Sequence, residues 1–387
     1  MRAALLVATC ALLSACSLFG EKDEEAEPAA LVAIDAPIKI DTLWNQGLGG
    51  DAKGLRLGLI PATNGARIFA ASDNGNVYAF DATTGKEQWR TDTELKLSGG
   101  PGVGRDQIAL GSSEGELIVL AIDNGEVLWQ TQIGSEVLAA PAFSSNRLIA
   151  RTGDGTLLAY GLDGGEPLWN VRKRVQGLTL RGNASPVISG DVVISGFDDG
   201  SLLAINLDDG TTKWERATSD RRGRTELERL ADVDGRVVVV GEDVFTAGFQ
   251  GTASLLSVVS GSPIWRQDMS SHQSVAVDWN RMYLARDDNA IVALNRSTGV
   301  IAWDQPALKN RDITGPAVAG NYVVVGDFEG YLHFMQAASG EFVGRVKVAG
   351  ASIVAQPLVV SDVIYVLATD GSLTALRPQT PEPAPAP

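Results

Sequence analysis

The chain has 387 residues, with 32 Lys and Arg against 47 Asp and Glu, for a formal net charge of −15. This acidity excludes sequence-independent binding to nucleic acid, which needs a positively charged surface. Hydrophobic residues make up 44% of the chain, so most of it is expected to fold, and its 43 glycines predict many tight turns and few helices.

Residues 1–15 are typical of a signal peptide. Arg2 is followed by an apolar run over residues 3–13, which is too short to span a bilayer. The segment Leu13-Ser14-Ala15-Cys16 resembles the lipobox of bacterial lipoproteins. The resemblance implies that Cys16 carries a lipid and begins the mature protein. The alternative is an ordinary cleaved signal in which the cysteine is incidental.

Residues 16–30 are predicted to be a lipidated acidic tether. Five acidic residues outnumber one lysine in this segment, and like charges extend a chain by repulsion. Ser17 stands where inner-membrane lipoproteins carry aspartate, so the same resemblance implies a lipid anchor on the periplasmic face of the outer membrane. Residues 378–387 contain five prolines and are predicted to be a disordered tail.

Residues 31–377 form a repeat array. A glycine followed four residues later by a tryptophan recurs at Gly85/Trp89, Gly125/Trp129, Gly165/Trp169, Gly210/Trp214, Gly261/Trp265 and Gly299/Trp303. The steps between these tryptophans are 40, 40, 45, 51 and 38 residues, and eight turn-and-strand units can be counted. A period of this size, about 43 residues over eight units, is typical of a propeller with four-stranded blades.

The two ends of this array complement each other. The eighth unit ends at Leu376 without a closing strand, whereas a lone strand-like segment, residues 38–44, precedes the first unit. Pairing these segments closes the ring and removes its free edges. The sequence therefore predicts an all-β fold, an eight-bladed β-propeller of four-stranded antiparallel blades closed by the N-terminal strand. The seventh unit departs from the pattern with Gly344 in place of tryptophan.

Two residue types in the units indicate where parts of each blade lie. Proline cannot donate a hydrogen bond to a sheet, so the proline at the first strand of six units is predicted to lie on the innermost strand, beside a central channel. These prolines are Pro61, Pro101, Pro141, Pro186, Pro316 and Pro357. The repeated tryptophans are predicted to be buried between blades rather than to stack on a ligand.

The residues predict no catalytic site, cofactor or metal. Cys10 and Cys16 are the only cysteines, so the folded part has neither a disulfide nor a thiolate metal site. Residues 111–115 match Gly-x-Ser-x-Gly, but they align with strand-to-strand turns of other units. The Asp-Gly and Asn-Gly pairs are interpreted as hairpin turns rather than calcium loops. His272 and His333 lie in different units, with no matched carboxylate in the sequence.

Two segments depart from the repeat period, at the steps of 45 and 51 residues. In the first, residues 175–182, Leu178 and Leu180 point to one side of an extended chain and Arg181 to the other. Insertions in repeat proteins map to loops, which often lie on a binding face. This segment is therefore a candidate for binding another molecule.

The second segment, residues 220–234, is densely charged and ends in Asp232 and Asp234. Aligning Gly190 with Gly235 places Asp232 on the innermost strand of its unit. Together with the leucines and the arginine of the first segment, these carboxylates predict a protein-binding patch with an apolar centre and a charged rim. The alternative is internal: the leucines pack beneath their loop, and the aspartates pair with the arginine inside the fold.

The units resemble the PQQ-type propeller repeat, as in residues 121–129 (Ala-Ile-Asp-Asn-Gly-Glu-Val-Leu-Trp). WD40 repeats fit less well, because only Trp303 is followed by aspartate. Two families with this repeat differ in function: the periplasmic quinoprotein dehydrogenases, and the propeller lipoproteins of the outer-membrane β-barrel assembly machinery. The first family holds its quinone against adjacent cysteines, which this sequence lacks. The lipobox favours the second family.

The resemblance to the second family implies both a site and a function. That family binds the POTRA region of the barrel-assembly protein through a Leu-x-Leu-Arg loop and an Asp-x-Asp pair, which match Leu178, Leu180, Arg181, Asp232 and Asp234 here. It implies a non-enzymatic scaffold that contacts unfolded clients and assists the insertion of β-barrel proteins into the outer membrane. A quinoprotein-like dehydrogenase and a propeller that binds a ligand in its channel remain the alternatives.

Overall fold

The computed structural model describes residues 27–35, 37–50, 58–173, 184–218 and 232–379. These residues form β-strands, turns and bends without a helix. Accordingly, the described part of the chain has no helix long and apolar enough to cross a membrane. Its strands form eight sheets, which are the blades of an eight-bladed propeller. The predicted fold is confirmed.

Each blade is built from antiparallel neighbours in chain order, apart from the last. With the inner strand first, blades 1 to 4 comprise β3 (Ala62–Thr63), β4 (Arg67–Ala71), β5 (Asn76–Asp81) and β6 (Glu87–Asp92); β7 (Leu97–Val103), β8 (Gln107–Ser112), β9 (Glu116–Ala121) and β10 (Val127–Gln132); β11 (Ala142–Phe143), β12 (Arg147–Arg151), β13 (Thr156–Gly161) and β14 (Pro167–Arg172); and β15 (Val187–Ser189), β16 (Val192–Phe197), β17 (Ser201–Asn206) and β18 (Thr212–Ala217).

Blades 5 to 8 repeat this arrangement. They comprise β19 (Val238–Val240), β20 (Asp243–Thr246), β21 (Thr252–Ser257) and β22 (Pro263–Asp268); β23 (Ala276–Val277), β24 (Arg281–Ala285), β25 (Ile291–Asn295) and β26 (Ile301–Gln305); β27 (Ala317–Ala319), β28 (Tyr322–Gly326), β29 (Tyr331–Gln336) and β30 (Phe342–Lys347); and β31 (Leu358–Val360), β32 (Val363–Leu367), β33 (Ser372–Pro378) and β1 (Ile40–Gly47). Blade 2 has one addition, the short strand β2 (Gly58–Leu59), which pairs in parallel with β7.

The N-terminal strand closes the ring, as predicted. β1 pairs antiparallel with β33, from Ile40 opposite Pro378 to Gly47 opposite Ser372. The strand therefore lies slightly later in the chain than the predicted residues 38–44. Its pairing supplies the fourth strand of blade 8 and covers an edge of β33 that would otherwise expose unpaired backbone groups.

The hydrophobic core lies between blades rather than within any one of them. Each of the eight core clusters combines side chains of two adjacent blades, as Ile194 of blade 4 packs in one cluster with Val244 of blade 5. The middle strands are therefore covered on both faces, which explains why residues 202–205 of β17 are all apolar instead of alternating with polar residues.

The inner strands surround a central channel. A cavity of about 400 Å³ is lined by residues from blades on opposite sides of the ring, which meet only at its axis. Five of the six predicted prolines line this cavity: Pro61, Pro101, Pro141, Pro186 and Pro357. Pro316 lies outside that lining, and its carbonyl accepts a hydrogen bond from the channel residue Gln356 at 2.6 Å.

A tryptophan of each outer strand contacts the next blade at seven junctions. The indole Nε1 donates to a backbone carbonyl of that blade, and the ring lies against a glycine of its last turn, whose φ is between 65° and 76°. The pairs are Trp44/Gly85, Trp89/Gly125, Trp129/Gly165, Trp169/Gly210, Trp214/Gly261, Trp265/Gly299 and Trp303/Gly340. A Cβ on these glycines would lie 2.5 to 3.0 Å from the ring, so only glycine fits.

The eighth junction is different because the chain ends meet there. Blade 8 has no turn between β33 and β1, since these strands come from opposite ends of the chain, and so offers no glycine turn to a tryptophan of blade 7. Gly344 takes the tryptophan position, and Ile38 and Ile40 pack against it at 2.9 Å and 3.2 Å from the place of a Cβ. The Ile38 N–H also donates to the Val343 carbonyl at 2.8 Å. Because Gly344 has no side chain, it leaves room for Ile38 and Ile40 of the N-terminal segment (residues 27–40) at the junction between blades 7 and 8.

Removing one inter-blade tryptophan should destabilise the whole ring. Trp214 is 6% exposed and donates to the Val258 carbonyl at 2.7 Å. We expect Trp214→Ala to lower the free energy of unfolding by about 3 to 5 kcal/mol, because it leaves a large cavity and an unpaired carbonyl. Urea unfolding followed by tryptophan fluorescence and circular dichroism measures this. Trp279→Ala is the matched control, since Trp279 is 89% exposed and should change stability by less than about 0.5 kcal/mol.

Restoring the repeat consensus in blade 7 should loosen the N-terminal segment. We expect Gly344→Trp to displace Ile38 and Ile40 and to destabilise the protein by about 1 to 3 kcal/mol, because the indole has no free space at this junction. Limited proteolysis should then cleave residues 27–40 faster than in the wild type. Gly350→Ala is the control, because a Cβ there meets nothing within 4 Å. Unchanged cleavage of Gly344→Trp would contradict this account.

Candidate partner-binding site

Two of the five predicted binding residues are among the described residues, and three are not. Leu178, Leu180 and Arg181 lie outside the described residues. Asp232 and Asp234 are described, and they are buried, with 0% and 6% of their surface exposed. In this structure the two carboxylates therefore lie beneath the surface instead of forming an exposed rim.

Asp232 also lies earlier in its blade than the predicted alignment places it. The turn between β19 and β20 contains Gly241, with φ 63°, just as the turn between β15 and β16 contains Gly190, with φ 58°. Gly190 therefore corresponds to Gly241 and not to Gly235. Asp232 precedes the inner strand and forms an isolated bridge with Phe249. The alignment failed because the connection before blade 5 is longer than its equivalents, which shifts the register of the repeat.

Asp232 and Asp234 flank a residue that fills the space between blades 4 and 5. The Val233 N–H donates to the Phe197 carbonyl, and its side chain occupies the space left by Gly196. Val137 and Ile353 make the same contact with Gly111 and Gly326 at other junctions. Because Val233 is fixed in this way, the carboxylates on either side of it are held close to the end of β16.

A buried ion pair lies beside these carboxylates. Arg151 Nη2 is 2.6 Å from Asp198 Oδ1, and the two side chains are 1% and 2% exposed. The guanidinium also lies over the Phe197 ring, 5.3 Å from its centroid. Arg151 stands at the end of β12, where units 2, 4 and 7 have Gly111, Gly196 and Gly326. This departure from the repeat is the signal by which the sequence could have revealed Arg151; both Arg151 and Asp198 were missed.

Asp198, Asp232 and Asp234 form one buried acidic cluster. Each can direct a carboxylate oxygen to within 4.8 Å of the others. Burial raises the pKa of Asp232, and the charges of Asp234 and Asp198 raise it further, while Arg151 opposes them. Burial and the Asp198 charge also raise the pKa of Asp234. The cluster therefore favours either a bound proton or a bound cation, and its oxygens are the described atoms best placed to hold a metal ion.

The connections that carry the predicted binding residues leave from equivalent points of neighbouring blades. Lys173 and Thr218 follow the outer strands of blades 3 and 4, and each donates its backbone N–H to the turn glycine of its own blade, Gly155 at 3.0 Å and Gly200 at 2.8 Å. Lys173 also forms ion pairs with Asp199 at 2.9 Å and Glu215 at 2.5 Å, which join blade 3 to blade 4. We call the face on which outer strands lead to the next blade the connection face.

The prediction that the histidines lack carboxylate partners is wrong. His272 Nδ1 lies 2.8 Å from Asp287 Oδ1, and His333 Nε2 lies 2.9 Å from Asp327 Oδ2. Turns of the blades bring these partners together, which linear spacing does not show. Arg345 Nε donates to His333 Nδ1 at 3.2 Å, so the Nε2 proton points at Asp327. His333 has no exposed surface, which is consistent with a core role.

Asp327 is the centre of this second buried cluster. Burial alone would raise the pKa of Asp327, but hydrogen bonds from His333, from the Tyr331 N–H and from Arg311 lower it overall. Arg311 is 2.8 Å from Asp327 and also pairs with Glu329. Its remaining nitrogen, Nη1, donates to the Ala29 carbonyl at 3.0 Å. The cluster therefore fixes the N-terminal segment to blade 7.

The fold and these contacts define a class of protein: an eight-bladed propeller of PQQ-type repeats with long connections between blades 3 and 4 and between blades 4 and 5. A family model described as "Outer membrane protein assembly factor BamB" matches residues 30–95, 73–305 and 307–382. A protein of that name from Pseudomonas aeruginosa is 42% identical over 96% of this chain and 97% of its own. The chain belongs to the BamB family.

Solved structures agree on the fold. The crystal structure of BamB from Moraxella catarrhalis superposes with a TM-score of 0.80 and 24% identity, covering 88% of this chain and all of that one. The quinohemoprotein alcohol dehydrogenase from Comamonas testosteroni superposes with a TM-score of 0.68 and 14% identity, covering 90% of this chain and 78% of that one. At these identities the superpositions show the architecture alone.

The neutral state of His333 predicts a specific dependence of stability on pH. Burial lowers its pKa from 6.5, so below that pH the unfolded chain binds a proton that the folded chain does not, and the folded state loses stability. We expect the wild type to lose stability relative to His333→Gln as the pH falls from about 7 to about 5, by up to about 1.4 kcal/mol per pH unit. Urea unfolding of both proteins at each pH measures the difference. A difference that stays constant with pH would contradict this role.

Proposed function

We propose that this chain is a non-enzymatic scaffold for the assembly and insertion of β-barrel proteins, held at the outer membrane by a lipid on Cys16. In this proposal it docks on the POTRA region of the barrel-assembly protein. Membership of the BamB family supports the general function, because relatives over the full length are named outer membrane protein assembly factors. The sequence of the signal region supports the anchor, since Cys16 lies in a lipobox-like segment.

One observation carries the choice of docking site. Apart from the connection between blades 8 and 1, from Gly47 to Ala62, which includes β2, the connections from Arg172 to Val187 and from Ala217 to Val238 are the longest between consecutive described blades. They leave from adjacent blades on the connection face, and the Arg151–Asp198 pair links blade 3 to blade 4. Two long connections thus leave from neighbouring blades, where two loops can form a single surface.

The proposed roles of the five predicted residues differ. Leu178 and Leu180 supply the apolar centre of the interface, and Arg181 supplies a charged hydrogen-bond donor, which are residue types common in protein interfaces. Asp232 and Asp234 are buried, so their part in docking is to hold the end of the second connection against blade 4. Replacing either carboxylate should therefore weaken docking indirectly, through the position of residues 219–231.

The N-terminal segment supports a common orientation for anchor and docking surface. The Ala29 N–H donates to the Lys309 carbonyl at 2.9 Å, and Asn310 Nδ2 donates to the Glu27 carbonyl at 3.2 Å. Residues 306–316 lie between the outer strand of blade 6 and the inner strand of blade 7, so these contacts are on the connection face. The tether from Cys16 to Glu27 spans at most about 40 Å. A lipid on Cys16 would therefore hold the docking surface near the membrane.

Charge reversal at Arg181 should abolish docking. We expect Arg181→Glu, and separately Leu178→Asp, to remove the POTRA-containing barrel-assembly protein from material that copurifies with the tagged full-length chain, by about tenfold or more. Arg105→Glu is the control, because Arg105 is 94% exposed in the turn between β7 and β8, at the opposite end of the blades. Equal melting temperatures establish that all variants fold.

Two results would contradict the proposal. If Arg181→Glu and Leu178→Asp each copurify as much barrel-assembly protein as the wild type does, residues 174–183 do not form the interface. Quinone absorbance in the purified protein would instead favour a dehydrogenase. Labelling with a radioactive fatty acid tests the anchor separately, and Cys16→Ser should abolish the label.

A further inference from the structure

We propose that Asp198, Asp232 and Asp234 form a calcium site that ties blade 4 to the connection entering blade 5. Asp198 comes from the turn between β16 and β17, and the other two carboxylates come from the connection that precedes β19. One set of oxygen ligands thus comes from two segments that are distant in sequence, since Asp198 and Asp232 are 34 positions apart. This inference stands on the described residues alone and does not rest on the proposed docking.

Unsatisfied buried oxygens point to a missing partner in this cluster. Asp232 has no exposed surface, and neither of its carboxylate oxygens has a hydrogen-bond partner. Asp234 Oδ1 is buried without a partner as well. Buried polar groups in folded proteins nearly always have partners, and an ionised carboxylate without one is strongly unfavourable. The Asp232 carboxylate is directed at the other two aspartates, where a ligand would sit.

The charge of the cluster indicates a divalent cation. In the cation-bound state all three carboxylates are ionised, so with the Arg151 guanidinium they leave two negative charges for the ion to balance, and Arg151 is already bonded to Asp198. His272 is the next basic side chain to act on Asp234, but its Nδ1 is bonded to Asp287. A single divalent ion would neutralise the remaining charge without moving the backbone.

The ligand atoms favour calcium over other divalent ions. All three side chains offer oxygen, which hard cations prefer, and the cluster contains neither histidine nor cysteine. At the usual Ca²⁺–oxygen distance of about 2.4 Å, ligands on opposite sides of the ion lie about 4.8 Å apart. The three oxygens lie within this distance of one another, so one Ca²⁺ can contact all of them, and Ca²⁺ accepts irregular oxygen shells whereas Mg²⁺ demands near-ideal octahedral geometry. Water would complete the coordination shell.

Calorimetry on the full-length chain tests the site directly. The protein is freed of metal with EDTA, dialysed and titrated with CaCl₂, and with MgCl₂ in parallel. We expect one Ca²⁺ per chain with a dissociation constant on the order of 10⁻⁴ M, weaker binding of Mg²⁺, and a loss of Ca²⁺ affinity of about tenfold or more in Asp232→Asn. Asp199→Asn is the matched control, since Asp199 lies in the same turn as Asp198 but pairs with Lys173.

Thermal unfolding gives a second measurement that does not depend on heats of binding. In EDTA, Asp232→Asn should melt at a higher temperature than the wild type, because it removes an unpaired buried charge. Calcium should raise the melting temperature of the wild type and of Asp199→Asn but leave that of Asp232→Asn unchanged. This pattern also shows that the variant folds.

Several outcomes would overturn the calcium site. The proposal fails if the wild type shows no saturable Ca²⁺ binding up to about 5 mM, or if it binds Mg²⁺ as tightly as Ca²⁺. It also fails if Asp232→Asn keeps the Ca²⁺ affinity of the wild type, or if Asp199→Asn loses as much Ca²⁺ affinity as Asp232→Asn. One further outcome would show that a proton balances the charge instead of calcium. In it, lowering the pH from about 8 to about 6 stabilises the wild type in EDTA, and calcium adds no further stability.

Discussion

The contact between a tryptophan and a glycine of the next blade is the constraint on which this ring depends. The indole spans the junction, donates its N–H to a carbonyl of the neighbour, and lies so close to the turn that any side chain there would collide with it. Blades 1 to 7 are therefore each positioned by the blade before them in the ring, whereas blade 8 meets blade 7 through Gly344, Ile38 and Ile40. Because the ring closes through the pairing of β1 with β33, no blade lies at a free end. A change in packing at one junction therefore affects the positions of the other blades.

Apolar side chains and charged side chains occupy different parts of the protein interior. Apolar clusters fill the spaces between blades, whereas the two buried charged clusters lie near the connection face, one around Asp232 and one around Asp327. Each lies where the chain leaves the repeat: the first beside the long connections, the second beneath the N-terminal segment at Ala29. Directional ion pairs fix irregular backbone in a way that apolar contacts, which have no preferred direction, do not.

A regular ring with one irregular face suits a docking scaffold. The propeller supplies rigid, closely spaced attachment points, and the connections between blades vary without disturbing the tryptophan contacts. The residues that distinguish this chain as a candidate docking protein are thus confined to loops and to the charged groups beneath them. The proposed calcium site extends this arrangement, because it would hold one loop to the blade it leaves.

The sequence by itself determined the architecture, because the Gly-to-Trp spacing repeats along the chain and the unmatched strands at its two ends require closure. It also indicated the inner prolines, since proline cannot pair within a sheet. Only the tertiary structure showed the partners of His272 and His333, the burial of Asp232 and its neighbours Arg151 and Asp198, and the reason for Gly344. These depend on contacts between residues distant in sequence, brought together by blade turns and ring closure. For Asp232, the long connection before blade 5 also shifted the repeat alignment.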